Sequence, residues 1–479
     1  MAQPFAEPCD RGLIEAEPCP RALGREIAAT RKRMLLAACV LASAMAFIDG
    51  SALTVALPKL RAFFDADLAT VQWVLNGYVL ALAALTLTGG AFADVYGRAR
   101  ILKIGCLGFG AASAACIVSP SVEWLIAARV VQGVSAALVT PASLALIGAT
   151  YPKEERNSAI GIWAAASALT TAGGPVLGGW LTESFGWQYV FAINPPLAMI
   201  AVALLARYAP AEQREQRRFD FAGAAILAGA LASLAWALSQ MGPQRPGMAN
   251  PVMATEAAVL GLGLLAGYAV WERFSGNPMT PPWLLGNRSF VVLNIATLLV
   301  YAGLAVMFFL LSFDLIDRRH LTPTNAGLVF LPFTLGLGLL SQPLGSLADR
   351  IGVRVMLTVG PLGAALAFVL LALGEGASLL LGVLLPMTLL GTSFAMLVTP
   401  LTTSVLASVA NSEEGLASGV NNAVSRIAQL AGIALAAGLA SYAAGYVASL
   451  IVAAVLAAIA GIIIALLLPR PTKRHVPAS

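Results

Sequence analysis

Long apolar runs constrain this chain before any motif does. Fourteen stretches of mainly apolar residues, bounded by charge, Gly/Pro or polar clusters, read as candidate membrane spans. They are Met34–Leu57, Val71–Phe92, Ile101–Val118, Trp124–Ala149, Ser158–Leu181, Gln188–Ala206, Phe221–Gln240, Val252–Trp271, Ser289–Phe313, Thr324–Leu347, Val355–Gly374, Ser378–Ala407, Leu416–Ala437 and Tyr446–Leu468. A spanning helix needs about 20 such residues, and most of these runs meet that length. Only 11% of the 479 residues are charged and 59% are hydrophobic, where a soluble domain carries about 25% charge. A water-soluble chain of this composition has too little polar surface to cover its core. The expectation is an all-α integral membrane protein.

Several function classes drop out at once. Of the five cysteines, Cys39, Cys106 and Cys116 lie inside apolar runs, where a thiol behaves as a small hydrophobe. The two histidines, His320 and His475, are too few for most zinc, haem or His-based catalytic sites. No Walker loop, nucleophile elbow or His-Glu-x-x-His helix is present. The net charge of +5 is spread between apolar runs and gives no nucleic-acid footprint. No cofactor, metal or enzymatic centre is expected.

Orientation follows from the basic residues. With both termini on the cytoplasmic side, Lys59, Arg61, Arg245, Arg318 and Arg319 fall in outer loops and Arg129 and Arg426 inside spans. The rest of the 29 Lys and Arg lie on the inner side. The charged tail before the first span and the length of that span argue for an uncleaved segment rather than a signal peptide.

A repeated motif divides the chain. Gly90-Ala-Phe-Ala-Asp94-Val-Tyr-Gly97-Arg98 follows the second span and Gly345-Ser-Leu-Ala-Asp349-Arg350-Ile-Gly352 the tenth, both at inner ends. The organisation expected is a tail (1–33), a six-helix bundle (34–206), a linker with two inserted helices (207–288), a second six-helix bundle (289–468) and a tail (469–479). Two like halves with a site between them is a layout of secondary transporters.

Further stretches make a resemblance specific. They are Ile48-Asp49-Gly50-Ser51 through Ala56-Leu57-Pro58, Leu125-x-x-x-Arg129-x-x-Gln132-Gly133, Gly174-Pro175-x-x-Gly178-Gly179 and Trp187 through Asn194-Pro195. Together these resemble the major facilitator superfamily, and within it the fourteen-helix drug:proton antiporter group. Val95 stands where that group usually has Arg, Thr170 where it often has Gly and Ser51 where it has Thr; none of these departures touches the charged residues named here. The resemblance implies two six-helix bundles plus two inserted helices, and an antiporter motif at Gly174, Pro175, Gly178 and Gly179.

Asp49 and Arg129 are the sharpest candidates, because a charge in hydrocarbon marks a pathway or relay by default. Asp49 lies about 22 Å from the inner end of its span at 1.5 Å per residue, and Arg129 at similar depth. Asp49 is expected to bind the transported proton, with Arg129 and Gln132 tuning it; a static ion pair between two helices is the plainer alternative. The Thr170, Gly174, Gly178 face reads equally as a hinge or seal and as simple close packing. Gly90, Asp94, Gly97, Arg98, Gly345, Asp349, Arg350 and Gly352 are expected to form cytoplasmic latches. Trp73, Asn76, Phe309, Asp314, Asn422 and Arg426 are candidates for the substrate cavity. Asp314 is the accessory acid to test; Arg426 either meets substrate or pairs with backbone carbonyls.

The expected function is proton-coupled export of lipophilic, cationic compounds across a bacterial inner membrane. Its partners are a small-molecule substrate, protons and the bilayer; any adaptor protein is unidentified. Export of a single metabolite or lipid-like compound, or a non-transporting sensor built on the same fold, are the competing functions.

Overall fold

A computed structural model of the chain describes residues 29–210, 220–239, 251–275, 282–409, 414–440 and 445–468, and among them all regular structure is helical. A chain in lipid must satisfy its backbone polar groups within each segment, which a helix does. The first half comprises α1 (Ala29–Phe64), α2 (Leu68–Tyr96), α3 (Arg98–Ile117), α4 (Val122–Thr150), α5 (Lys153–Ser184), α6 (Gln188–Ala192) and α7 (Asn194–Tyr208). An inserted pair follows, α8 (Phe221–Ser239) and α9 (Pro251–Phe274), and then the short α10 (Pro282–Gly286). The second half has α11 (Arg288–Phe313), α12 (Pro323–Leu328), α13 (Leu331–Ile351), α14 (Val353–Leu373), α15 (Leu385–Ala407), α16 (Glu414–Ala440) and α17 (Gly445–Leu467).

Each apolar run falls on a helix, and ten of the described helices are long and apolar enough to cross a membrane. The two termini of the bundle, at α1 and α17, share one side, called here the terminal side; the opposite side is the far side. The expected segments 1–28 and 469–479 lie outside the described residues.

Local chemistry explains where helices start, stop and break. Asp67 caps α2 by accepting the Thr70 amide at 2.7 Å, and Asn287 caps α11 through the Phe290 amide at 3.2 Å. The sixth span divides at Ile193, just before Pro195 and Pro196, and the tenth divides ahead of Pro332, since proline lacks the amide a continuous helix needs. α1 outruns its apolar stretch, passing Pro58 and carrying exposed Lys59 and Arg61 beyond it.

The repeated motif has a backbone counterpart. Gly97 ends α2 at φ 98°, ψ 123°, and Gly352 ends α13 at φ 97°, ψ 131°. That positive φ is open to glycine and strained for L side chains, so the same turn is built at equivalent points of the two halves. Gly90 faces Pro141 of α4, and Gly345 faces Thr399, the residue before Pro400, of α15.

The inserted pair flanks the seam between the halves. α8 packs on α2 and α16 through a cluster containing Ala83, Ala84, Leu227 and Leu231. α9 packs on α8 and leaves Val259, Leu260 and Leu262 more than half exposed, as a lipid-facing helix would.

On the far side the halves meet closely. A Cβ on Gly327 of α12 would collide with the Pro175 carbonyl of α5, and one on Gly179 with the Pro323 carbonyl. Nearby, Arg61 pairs with Asp317 at 3.6 Å and the Thr324 amide donates to Glu183 at 3.0 Å. The Thr324 hydrogen bond holds the Glu183 carboxyl below the usual carboxylate range. Ties on the terminal side that link α1 to its own half include Arg31 to the Tyr208 carbonyl and Lys32 to Glu155.

Candidate functional site

A fully buried polar cluster is built from helices of the first half. Asp49 on α1, Arg129 and Gln132 on α4, and Asn194 at the start of α7 all have no exposed surface. The Arg129 Nη1 donates to Asp49 Oδ2, and to Gln132 Oε1 at 2.6 Å; its Nε donates to the Val74 carbonyl of α2 at 3.0 Å. The other carboxylate oxygen, Asp49 Oδ1, accepts from Gln132 Nε2 and Asn194 Nδ2, each at 2.9 Å. Ser113 of α3 accepts from the same two amide groups at 2.8 and 3.2 Å. The Tyr78 ring covers the guanidinium at 4.2 Å, and its hydroxyl donates to the Ala46 carbonyl at 3.1 Å.

Burying two charges costs several kcal/mol per ion unless close pairing and further hydrogen bonds compensate. Here both carboxylate oxygens are occupied, and the pair sits in a cage of amides and a hydroxyl. Asp49 thus accepts from three side chains, those of Arg129, Gln132 and Asn194. Protonating it in this arrangement would leave Arg129 as an uncompensated buried cation.

The antiporter-motif glycines join this cluster to the seam. A Cβ at Gly174 would strike the Ser51 hydroxyl, and one at Gly178 the Ala52 backbone, both on α1 just past Asp49. Gly179, on the neighbouring face, meets α12 of the other half instead. Thr170 turns its hydroxyl to the Ala166 carbonyl at 2.9 Å. Gly174 and Gly178 thus pack on α1, and Gly179 on α12 of the other half.

A second charged cluster lies on the far side of the second half. α11 leads into a π-helical turn, Asp314–Arg318. Asp314, 4% exposed, is bound by Arg319 at 2.8 Å and Arg318 at 3.4 Å. Arg318 also pairs with Glu375, and Arg319 donates to the Gly374 and Ala377 carbonyls at 3.1 and 3.0 Å. Asp314 is thus spent on a far-side tie to the end of α14, remote from Asp49.

The other cavity candidates divide. Trp73 packs against Trp236 of α8 at 5.6 Å, under the inserted pair. Phe309 is buried in the core of the second half, 5.3 Å from Phe313. Asn76 is fully buried on α2, and its amide group has no hydrogen-bond partner among the described residues. Asn422 is exposed on α16, and Arg426 is half-buried with its guanidinium 5.8 Å from the Phe47 ring of α1, across the boundary between the halves. Of the latch residues, Gly90 and Gly345 are packed as above, and Arg350 is exposed with no ion pair among the described residues. The side chains of Asp94 and Asp349 lie outside what is described.

Ser113, Tyr78 and Asn194 carry no role in the sequence reading. Asn194 stood in a quoted motif, and its position before Pro195 at a helix start was the signal that could have found it. Ser113 and Tyr78 offered none.

Comparison with known proteins agrees with this architecture. A family model described as Major Facilitator Superfamily matches residues 39–290 and 293–479. The chain is 34% identical over 396 residues to the multidrug resistance protein Stp of Mycobacterium tuberculosis, covering 82% of this chain and 72% of that one. It is 32% identical over 394 residues to the lincomycin resistance protein of Streptomyces lincolnensis, covering 81% and 80%. Among solved structures, a peptide transporter POT in complex with sulfate superposes with a TM-score of 0.68 at 15% identity, over 91% of this chain and 93% of that one. At that identity the likeness concerns the fold.

Proposed function

The chain belongs to the major facilitator superfamily, and from that premise we propose that it exports drug-like compounds in exchange for protons. It is a multi-pass membrane transporter whose relatives are named for resistance to, or export of, antibiotics. In this reading both termini lie in the cytoplasm of a bacterial cell and the fourteen apolar runs cross its inner membrane; the distribution of Lys and Arg supports the orientation.

The observation that carries proton coupling is the caged Asp49: a carboxylate with no exposed surface, neutralised by Arg129 and held by Gln132 and Asn194. In the cycle, opening of the cage lets Asp49 take a proton. Arg129 then loses its counter-charge, and the first half settles in a different packing. Release of the proton on the other side restores the pair. One elementary charge moved through 100 mV is worth about 2.3 kcal/mol, enough to drive useful export. The far-side contacts of Gly179 and Gly327 form the closed gate, and rocking of the halves around the central space opens it.

The sequence expectation of cationic substrates rested on Asp49 as their attractor. With Asp49 already paired to Arg129, that support is gone.

The test uses inverted membrane vesicles acidified inside, a pH-sensitive dye and a panel of lipophilic compounds. Wild type is expected to release protons when compound is added, and Asp49→Asn to release none. Proton release by Asp49→Asn equal to wild type would overturn the coupling role.

A further inference from the structure

At the boundary between the halves sits a positive charge with no ion-pair partner among the described residues. Arg426 projects from α16, and its guanidinium has neighbours from both halves: Phe47 on α1 at 5.8 Å, Tyr78 on α2 and Tyr301 on α11 within electrostatic range. Its one described hydrogen bond runs from Nη1 to Gln429 Oε1, a helical turn on, at 3.1 Å. A guanidinium has five N–H donors, so most remain for something else. Arg426 makes no ion pair among the described residues.

The acids in the neighbourhood are committed elsewhere. Asp49 is paired with Arg129, and the Tyr78 ring lies over that guanidinium. Asp314 is tied to Arg318 and Arg319 on the far side. The Asp49–Arg129 pair is neutral, so among the described residues Arg426 adds one positive charge that no acid there offsets. An unpaired cation held among aromatic rings in a membrane protein is costly, and such charges mark substrate or ion pathways.

Arg426 is also accessible. It is half-buried, and Asn422, one turn toward the terminal side on the same helix face, is exposed. An exposed asparagine in line with an arginine, in mid-helix, borders a polar opening rather than lipid. Phe47, Trp163 and Tyr301 are half-buried around the same space and supply apolar wall. The Trp163 indole donates to Ser43 at 2.9 Å, which fixes its ring beside Phe47 at 6.2 Å.

We infer that Arg426 is the receptor for a negatively charged or acidic group on the transported compound, so that this transporter takes amphiphilic anions: an apolar body against Phe47, Trp163 and Tyr301, with a carboxylate or ionised phenol on the guanidinium. This rests on the reading of the chain as an exporter whose substrate space lies between the halves. Gln429 and the Phe47 ring hold the guanidinium in place before the ligand arrives, which lowers the ordering cost of binding. The remaining donors suit the two oxygens of a carboxylate. Tyr78, whose ring lies over the Arg129 guanidinium, is also within electrostatic range of Arg426, so a bound anion is felt close to the proposed proton site.

The test is direct binding to the full-length protein in lipid nanodiscs, with no proton gradient. Three pyrene probes share one apolar body and differ in the head group: pyrenebutyrate, pyrenebutanol and a pyrenebutyl-trimethylammonium. Wild type is expected to bind the carboxylate about tenfold or more tightly than the alcohol, and the ammonium more weakly than either. In Arg426→Gln the carboxylate-to-alcohol ratio should fall to about one, and in Arg426→Lys most of it should return, as expected for a charge contact rather than a packing role. Preference of the wild type for the ammonium, binding of none of the three, or an unchanged ratio in Arg426→Gln would overturn the inference. Because no transport is measured, a protein that binds the anion yet moves no protons keeps this inference and loses the antiport proposal.

Discussion

The two halves solve the same problem of membrane-embedded charge in opposite ways. In the first half, Asp49 and Arg129 come from different helices, 80 residues apart, and the pair has no exposed surface. In the second half, Asp314 meets Arg318 and Arg319 within one π-helical turn, and the Arg318 side chain is 52% exposed. Deep pairing between helices makes the charge state a property of how those helices pack. Pairing beside a single turn at the membrane boundary keeps the acid and its bases on one segment. The two arginines reach the end of α14 through Glu375 and the Gly374 and Ala377 carbonyls, groups other than Asp314. The first arrangement suits a switch and the second a staple.

The comparison breaks most sharply at the buried pair. Arg129→Gln or Asp49→Asn alone leaves one uncompensated group and should lower stability by about 3–5 kcal/mol, read as a large fall in the unfolding midpoint in detergent. The double variant removes both charges and should recover much of that stability while remaining unable to move protons. Recovery of proton movement by the double variant would show that the pair is no switch.

The seam comes next. Gly179→Ala and Gly327→Ala each drive a methyl group into a carbonyl of the opposite half, an overpacking worth about 1–3 kcal/mol. Both should slow export by weakening the far-side closed state, and make engineered cysteines in the central space more reactive to impermeant reagents from that side. Unchanged reactivity would mean that these glycines only pack.

Asp314→Asn should cost about 1 kcal/mol, since its arginines stay partly hydrated, and proton exchange should persist within about twofold of wild type. Loss of exchange would move the coupling acid to the second half and erase the distinction. The smallest effect is expected from Glu183→Gln, within about 0.5 kcal/mol at this exposed position. The Glu183 carboxyl is held below its ordinary range by Thr324, so this contact is intact at neutral pH and fails only as pH falls through that lowered value. It cannot supply the proton dependence of transport near neutrality, and a Glu183→Gln pH–rate profile overlaying the wild type checks this.

Much of the architecture was legible because lipid imposes simple rules. Apolar length placed the helices, and the doubled Gly-x-x-x-Asp-x-x-Gly motif located two equivalent turns, Gly97 and Gly352, whose backbone angles differ by less than 10°. Asp49, Arg129 and Gln132 stood out because charge and amides are rare in hydrocarbon, and they do meet. Ser113 was invisible since a single hydroxyl in an apolar run usually bonds its own helix, which it also does through the Phe109 carbonyl. Asn194 lies 145 residues from Asp49, a pairing that no local pattern encodes. Trp73 was placed in the cavity because nothing in the sequence tells where an inserted helix docks; Trp236 covers it. Asp314 was offered as a cavity acid although Arg318 and Arg319, four and five residues on, already stood in reach of it.

Asp49 is expected to be needed for proton movement and dispensable for carrying substrate. The direct measurement places Asp49→Asn in proteoliposomes and follows two signals in the same preparation: exchange of labelled for unlabelled compound with no gradient, and compound-driven proton movement. Exchange that persists while proton movement is lost is the predicted result. Proton movement that survives the substitution would contradict it.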